Sequence, residues 1–404
     1  AQVARDPGDA KQALASAATT VEATYRFPYL AHATMEPMNC TAHVREDACD
    51  IWVPTQSQTV VRDTAAAITG LPPESVTVTP TFMGGGFGRR SAADFVEDAV
   101  HISKQVGAPV QVVYSREDDM RAGFYRPAGY NELSGALDAE GKLVAWRHRM
   151  AVPSLLREKG WVAPGAIDRV ALEGAQNLPY AIPNLHVAWA DVDLPISIHF
   201  WRSVGSSHNA WVTECFFDEL CHAGGIDPVA GRMGLLEGHP RHQRVLQLVA
   251  EKSGWGTPLP EGRARGVAVH ESFGSFVAQV AEVSLGKQGR PRVHRVVCAI
   301  DCGDVVNPDT VEAQMEGAIA FGLSAALHGR VEVSEGRVLS ANFDRYPLLR
   351  MREMPRVETH IVAEGDPMGG AGEPGTPPIA PAVCNALLAL TGKPVRSLPI
   401  APIV

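Results

Sequence analysis

Between residues 75 and 107 the chain runs Ser75-Val76-Thr77-Val78-Thr79, then Met83-Gly84-Gly85-Gly86-Phe87-Gly88-Arg89-Arg90, then a helical pattern ending at Gly107. The first part alternates as a strand does, and the last keeps the spacing of an amphipathic helix. Four glycines in five positions lie between them. Each costs roughly 0.5–1 kcal/mol relative to alanine, and each allows positive φ and close approach of the backbone to another group. A glycine loop between strand and helix is the general recipe for holding phosphate through free N–H groups. This loop lacks the Lys-Ser/Thr of a P-loop and the G-x-G-x-x-G spacing of a dinucleotide fold. Alone it reads either as a ligand-contacting turn or as a tight structural one. Arg89 and Arg90 read either as phosphate partners or as a solvated face.

The alternation of strand and helix continues on both sides and signals α/β units. The pattern predicts a helix over "DAKQALASAATTVEATY", a strand at Asp50–Val53, a turn at Pro54-Thr55 and a helix ending at Gly70. A strand in "APVQVVY" is followed by "SREDDMR", which reads as a solvated loop. Strands dominate 130–200, and helices follow in "WVTECFFDELCHAGG" and after the Asp227-Pro228 cap. Beyond residue 263 come three strands, a long helix at "DTVEAQMEGAIAFGLSAALHG" and a last helix at "PPIAPAVCNALLALTG". We expect an α+β chain in two mixed domains, 1–240 and 241–404.

Composition removes several classes. The net charge of −9 argues against a general nucleic-acid binder, which needs a basic patch. No apolar run approaches the roughly 18 residues needed to span a bilayer. Seven cysteines are spread along the chain, an odd number that argues against a disulfide framework. Cys298 and Cys302 read as buried small hydrophobes, and no four-thiolate spacing for an iron–sulfur cluster is present.

A second glycine-rich loop, "GGAGEPGTPP", holds a single acid, Glu373, between glycines and Pro374. A carboxylate on so constrained a turn suits general-base work if it is desolvated. Elsewhere His239 and His242 read as exposed polar surface rather than a metal pair. His270 and Glu271 end a strand and are candidates for lining a substrate pocket. Trp201 reads either as pocket wall or as core.

Four ordered motifs, "PTQSQ…MGGGFG", "FWRSVG", "VVNPDTVEAQMEGAIAFGL" and "GAGEPGTPPIAPAVCNAL", resemble the molybdenum-binding subunit of the xanthine dehydrogenase/aldehyde oxidase family. The isoquinoline 1-oxidoreductase beta-subunit type looks the closest branch. The likeness extends from "YLAHATMEPMNCTA" to "SLPI". It implies molybdopterin-binding domains with the cofactor between them and oxidative hydroxylation with water as the oxygen source. Under it, Glu373 matches the family's base and Gln56 the amide that hydrogen-bonds an oxo ligand of the metal. Gly85, Gly86, Phe87 and Gly88 match the loop packed against the metal centre. Arg202 and Gln314 match an arginine and a glutamine that hold the cofactor, while Trp201, His270 and Glu271 fall near the substrate. No protein side chain need ligate the metal, which accounts for the missing His/Cys cluster.

The departures carry equal weight. Ser91 stands where xanthine-type members have a substrate-binding Glu. Val204 replaces a phenylalanine, and Ala171 stands where an arginine is expected, with Arg169 close by. These changes argue against xanthine and toward a neutral N-heteroaromatic or aldehyde. The family's E-M-G-Q-G-type loop is not found, so the chain resembles the C-terminal portion of a split or processed subunit. The resemblance implies a companion chain supplying that loop, a small subunit with 2Fe-2S clusters, and the cytosine dinucleotide form of molybdopterin. The unpaired cysteines favour the cytoplasm; export on a leader carried by the missing portion is the other possibility. A catalytically silent structural subunit and an unrelated phosphate-binding enzyme are the competing readings.

Overall fold

A computed structural model describes residues 1–403 of the chain. Its glycine loop sits in a small four-stranded sheet, in the order Val76–Pro80, Cys49–Val53, Asn39–Val44, Val110–Val113. Cys49–Val53 and Val76–Pro80 are parallel neighbours, and a parallel pair needs a crossover connection. The helix Gln58–Thr69 supplies it, stopping at Gly70, which takes φ 79°. The helix Asp94–Val106 packs beside it and ends the same way at Gly107. Their apolar faces, among them Val61, Ala65, Phe95, Val96 and Val100, close a core over Cys40, Ala42, Ile51 and Val53. Both parallel strands therefore point their carboxyl ends to one edge, where the crevice of an open α/β sheet lies. Gln56 and the glycine loop both emerge there.

A five-stranded sheet runs in the order Gln2–Arg5, Asn184–Ala190, Leu143–Ala151, Gly129–Leu137, Thr19–Phe27. A second four-stranded sheet runs Arg263–Ser272, Ser275–Leu285, Pro291–Asp301, Arg356–Val362. The helices Ser206–Gly224 and Ile379–Thr391 pack on each other, and one continuous hydrophobic core joins residues of both sheets and both helices. Gly266 permits that closeness, since a Cβ there would lie 2.1 Å from the Ala386 amide nitrogen.

The buried Arg232 lies at the centre of this junction. Its guanidinium bonds Glu214 at 2.9 Å and Asp218 at 2.6 Å. Glu214 also accepts from the Tyr180 hydroxyl at 2.5 Å and from the Val269 amide at 2.9 Å, so Glu214 is both paired and hydrogen-bonded, as a buried ion must be, while Asp218 relies on the Arg232 charge.

Three local expectations change. The helix at the start is short, Ala10–Ala15, with Asp9 as its cap, and Thr19–Phe27 is a strand. Its β-branched residues pair in register with Gly129–Leu137, from Thr19 opposite Leu137 to Phe27 opposite Gly129, and this pairing overrides the helical pattern of the alanines. "SREDDMR" contains the helix Arg116–Arg121, started by a Ser115/Asp118 capping box. His242 is buried, its ring edge-on to Phe276. All seven cysteines are free and buried.

Candidate active site

At the edge where the parallel strands end, a cleft of about 610 Å³ is lined by residues from six separated stretches of chain. They include Gln56, the loop 86–88, the segment 200–204, Gln314 and Glu373. Gln56 is fixed at both ends of the residue. Its amide N–H donates to the Arg90 carbonyl at 3.0 Å, and its side-chain Oε1 accepts from the Gly88 N–H at 3.0 Å. That bond assigns the amide orientation and turns Nε2, with its two donors, toward the cleft. Only glycine fits at two positions here. A Cβ on Gly86 would lie 2.5 Å from Gln56 Oε1, and one on Gly88 would lie 2.0 Å from the Phe200 carbonyl oxygen, at a φ of 104°.

Arg89 and Arg90 are neither phosphate partners nor solvated. Both are buried. Arg89 makes two bonds to Asp94, at 2.7 and 2.6 Å. Arg90 bonds the Gly85 carbonyl at 2.8 Å and the Glu36 carboxylate at 2.9 Å. They hold the loop from beneath. Asp119 lies 3.8 Å from Arg89 and is itself buried, so the acids of "SREDDMR" belong partly to this support.

The opposite wall brings residues 170 positions apart into contact. Arg202 Nε donates to the Gly372 carbonyl at 2.8 Å, and its NH2 group donates to Gln314 Oε1 at 3.0 Å. The Ser203 N–H donates to Glu373 Oε1 at 2.9 Å, and its hydroxyl donates to the Glu373 carbonyl at 2.7 Å. Ser203 and Val204 both take positive φ, 74° and 47°, a strained stretch held by these bonds. Glu373 Oε2 remains the oxygen available to the cleft.

Behind this wall lies a second cavity, about 580 Å³, which shares Phe87, Trp201 and Arg202 with the first. Phe321 is stacked between Phe87, at 4.4 Å between ring centroids, and Trp201, at 4.5 Å. Trp201 is buried and its indole N–H donates to the Ala31 carbonyl, so it is core and wall at once. Gly85 lines only the second cavity.

His270 and Glu271 are not among the residues lining the cleft. Strand alternation turns His270 inward, packed behind Gly174, whose Cβ would lie 2.8 Å from the ring, and burial lowers its pKa to about 4. Ala171 is buried and Arg169 exposed, and neither lines the cleft, whereas Ser91 and Val204 do.

Two functional positions escaped the sequence reading. Ser203 lies inside a motif already singled out, and its contact with Glu373 spans 170 residues. Glu173, two residues past Ala171, lines the cleft and carries no local signature. Burial, then Asp168 and Glu373, push its pKa up to about 7.

Among the described residues no group of three or more His, Cys, Asp or Glu is arranged to hold a metal ion. The cleft instead offers amide and backbone donors, a cradle that a Cβ would fill, and one carboxylate. That donor set fits a group bringing its own metal ligands, and the class of protein it suits is the molybdopterin-binding one.

The comparisons agree. A family described as molybdopterin cofactor-binding domain matches residues 1–234, and a second of the same description matches 238–355. The beta chain of isoquinoline 1-oxidoreductase from Brevundimonas diminuta is 33% identical over 92% of this chain and 48% of its own length. A chain of the nicotinate dehydrogenase of Pseudomonas putida is 29% identical over 98% of this chain and 35% of its own. The quinoline 2-oxidoreductase of Pseudomonas putida 86 superposes with a TM-score of 0.84 at 14% identity, covering 99% of this chain and 77% of that one. The Desulfovibrio gigas aldehyde oxidoreductase gives 0.81 at 16% identity, with 99% and 62% covered. This chain belongs to the family of molybdenum-binding subunits of the xanthine dehydrogenase type. It spans about half or less of the length of these curated relatives.

Proposed function

We propose that this chain carries the reaction centre of a molybdenum hydroxylase that oxidises a neutral N-heteroaromatic or an aldehyde with water as oxygen source. The observation that supports this most is that the Gln56 amide and the Glu373 carboxylate meet in one cleft although more than 300 residues separate them. A bound molybdopterin would supply the metal centre that accepts two electrons from the substrate and delivers a water-derived oxygen to it.

The chain's own residues do the rest. Gln56 Nε2 would offer donors to the bound group, and the backbone of Gly86 to Gly88, with Phe87, would form the wall that holds it. Arg202, engaged with Gly372 and Gln314, would shape the opposite wall of the cofactor site together with Gln314. Glu373 Oε2 takes up the proton released at the hydroxylating oxygen, while the Ser203 N–H on Oε1 holds the carboxylate aimed. Fixed donors and an aimed base need no reorganisation during the reaction.

Val204, Val170, Phe200 and Trp201 give the cleft apolar walls, which suits an uncharged ring or aldehyde. The isoquinoline and nicotinate relatives are each named as one subunit of a larger enzyme, which supports an assembly of several chains. In it a small 2Fe-2S subunit takes the electrons and a companion supplies the remaining cofactor-holding loop. We assign the cytosine dinucleotide form of the cofactor on the same resemblance. Seven free, buried cysteines favour a reducing compartment. No helix among the described residues is long and apolar enough to cross a membrane.

Metal analysis of the complex isolated through this chain tests the assignment. We expect roughly one molybdenum per chain and roughly four irons, as two 2Fe-2S clusters require. Glu373→Gln should keep molybdenum and lose on the order of 10²–10⁴-fold in turnover. Iron without molybdenum would indicate a silent structural subunit. Unchanged turnover in Glu373→Gln would remove the base from the mechanism.

A further inference from the structure

The cleft contains a second carboxyl that the proposed reaction does not use. Its charged lining residues are Arg202, Glu373 and Glu173. Arg202 is already engaged with Gly372 and Gln314, so it offers little to a substrate. Glu173 is different. Its side chain packs against Gly205, where an added Cβ would lie 3.3 Å from Glu173 Cβ, at the start of the helix Ser206–Gly224. Its main chain is locked as well, with its N–H on the Val170 carbonyl and its carbonyl accepting from Asn209 Nδ2 at 2.7 Å. The side chain is only half-buried. A carboxyl on so anchored a stretch of backbone, lining the same cleft as Glu373, is built into the site.

We propose that Glu173 is a substrate-recognition residue, whose carboxyl donates a hydrogen bond to the ring nitrogen of an azine while the neighbouring carbon faces the hydroxylating centre. This rests on the hydroxylase reading and narrows its substrate class to six-membered N-heteroaromatics. Two observations and one chemical argument support it. Apart from the charged groups, Gln56, Gln314 and the Trp201 indole, whose N–H is already bonded to the Ala31 carbonyl, the one polar lining side chain is the Ser91 hydroxyl, and it already donates to the Gly88 carbonyl at 2.7 Å. The proton needed for donation is available near neutral pH, because burial and the charges of Asp168 and Glu373 raise the Glu173 pKa to about 7. Finally, a hydrogen bond to the ring nitrogen draws electron density from the adjacent carbon, which helps attack by an oxygen nucleophile. In its ionised form the same carboxyl, beside Glu373, repels substrates that carry their own carboxylate.

The test uses the assembled, molybdenum-loaded enzyme with isoquinoline, benzaldehyde and nicotinate. Losing a hydrogen bond to an ionisable group predicts that Glu173→Leu lowers kcat/KM for isoquinoline relative to benzaldehyde by roughly 10- to 100-fold. The Kd for isoquinoline, read by calorimetry, should weaken in parallel. Glu173→Gln keeps an N–H donor and should recover part of the isoquinoline preference, while improving nicotinate. Molybdenum content and melting temperature of each variant check that the cleft is intact. An equal fall for isoquinoline and benzaldehyde, or no change in their ratio, would overturn the role of Glu173. Failure of the wild-type enzyme to turn over any of the three would instead count against the hydroxylase reading.

Discussion

Arg202 Nε donates to the carbonyl oxygen of Gly372 at 2.8 Å, so the side chain that follows Trp201 clamps the peptide directly before Glu373. The base of the proposed reaction is thereby held by a residue far away in sequence. Arg202→Lys keeps the charge but loses the planar fork that reaches both Gly372 and Gln314. Displacing a catalytic group by an ångström costs on the order of 10²-fold in rate, and we expect a fall of that order in turnover. Arg202→Met should also lower the molybdenum content after purification. Full activity in Arg202→Lys would show that Ser203 alone positions Glu373.

Gly88 is required by space as well as by φ. Gly88→Ala places a methyl 2.0 Å from the Phe200 carbonyl oxygen, and overpacking of this kind costs about 1–3 kcal/mol. Because the strain falls between Gln56 and Phe200, the cofactor site should suffer first. We expect a lower molybdenum-to-protein ratio with the far-ultraviolet circular dichroism retained. Gly70→Ala is the control: its φ is 79° but a Cβ meets nothing within 4 Å, so it should cost only about 1 kcal/mol and leave molybdenum unchanged.

Arg232 holds two buried carboxylates, Glu214 and Asp218, between helix and sheet. Removing one partner of a buried ion group costs about 3–5 kcal/mol, because the other charges stay buried and unpaired. Arg232→Met should therefore lower the denaturation midpoint strongly. A triple replacement of Arg232, Glu214 and Asp218 by apolar residues should recover much of that loss. A loss under about 1 kcal/mol for Arg232→Met, the range of an exposed pair, would mean that water reaches the group.

Buried histidines give the chain an acid limit. Burial lowers His32 and His270 to about 4, and His148 and His242 to about 3. The unfolded chain protonates these rings near pH 6.5, so unfolding takes up protons and stability falls as the pH drops from 6.5 through the folded values. For His270 alone the full loss is on the order of 3 kcal/mol. His199 and His208, lowered by burial too, add to this effect, whereas Glu173 and Asp218, raised to about 7 and 6 mainly by burial, and Asp119 and Glu158, raised by burial, act in the opposite sense. Melting temperature measured between pH 7.5 and 4.5 should decline steadily below 6.5, and a flat profile would contradict the burial of these rings.

Much of the architecture was legible locally. Glycine at the helix ends Gly70, Gly107 and Gly392, the Asp227 cap and the alternation before the glycine loop each act through neighbours a few residues away, so sequence alone determined them. The chain's family was equally legible, because the motifs around Gln56, Phe87, Arg202 and Glu373 keep their order and composition. Other features belonged to the tertiary structure. Thr19–Phe27 became a strand only because Gly129–Leu137 lies beside it. Arg89 and Arg90 point inward only because Asp94 and Glu36 are folded to meet them. The place of Glu173 in the cleft depends on Gly205 and on Glu373, 200 residues further on. Short-range preferences are written in the order of residues, whereas the environment of a charge is decided by whatever the fold brings within a few ångströms of it.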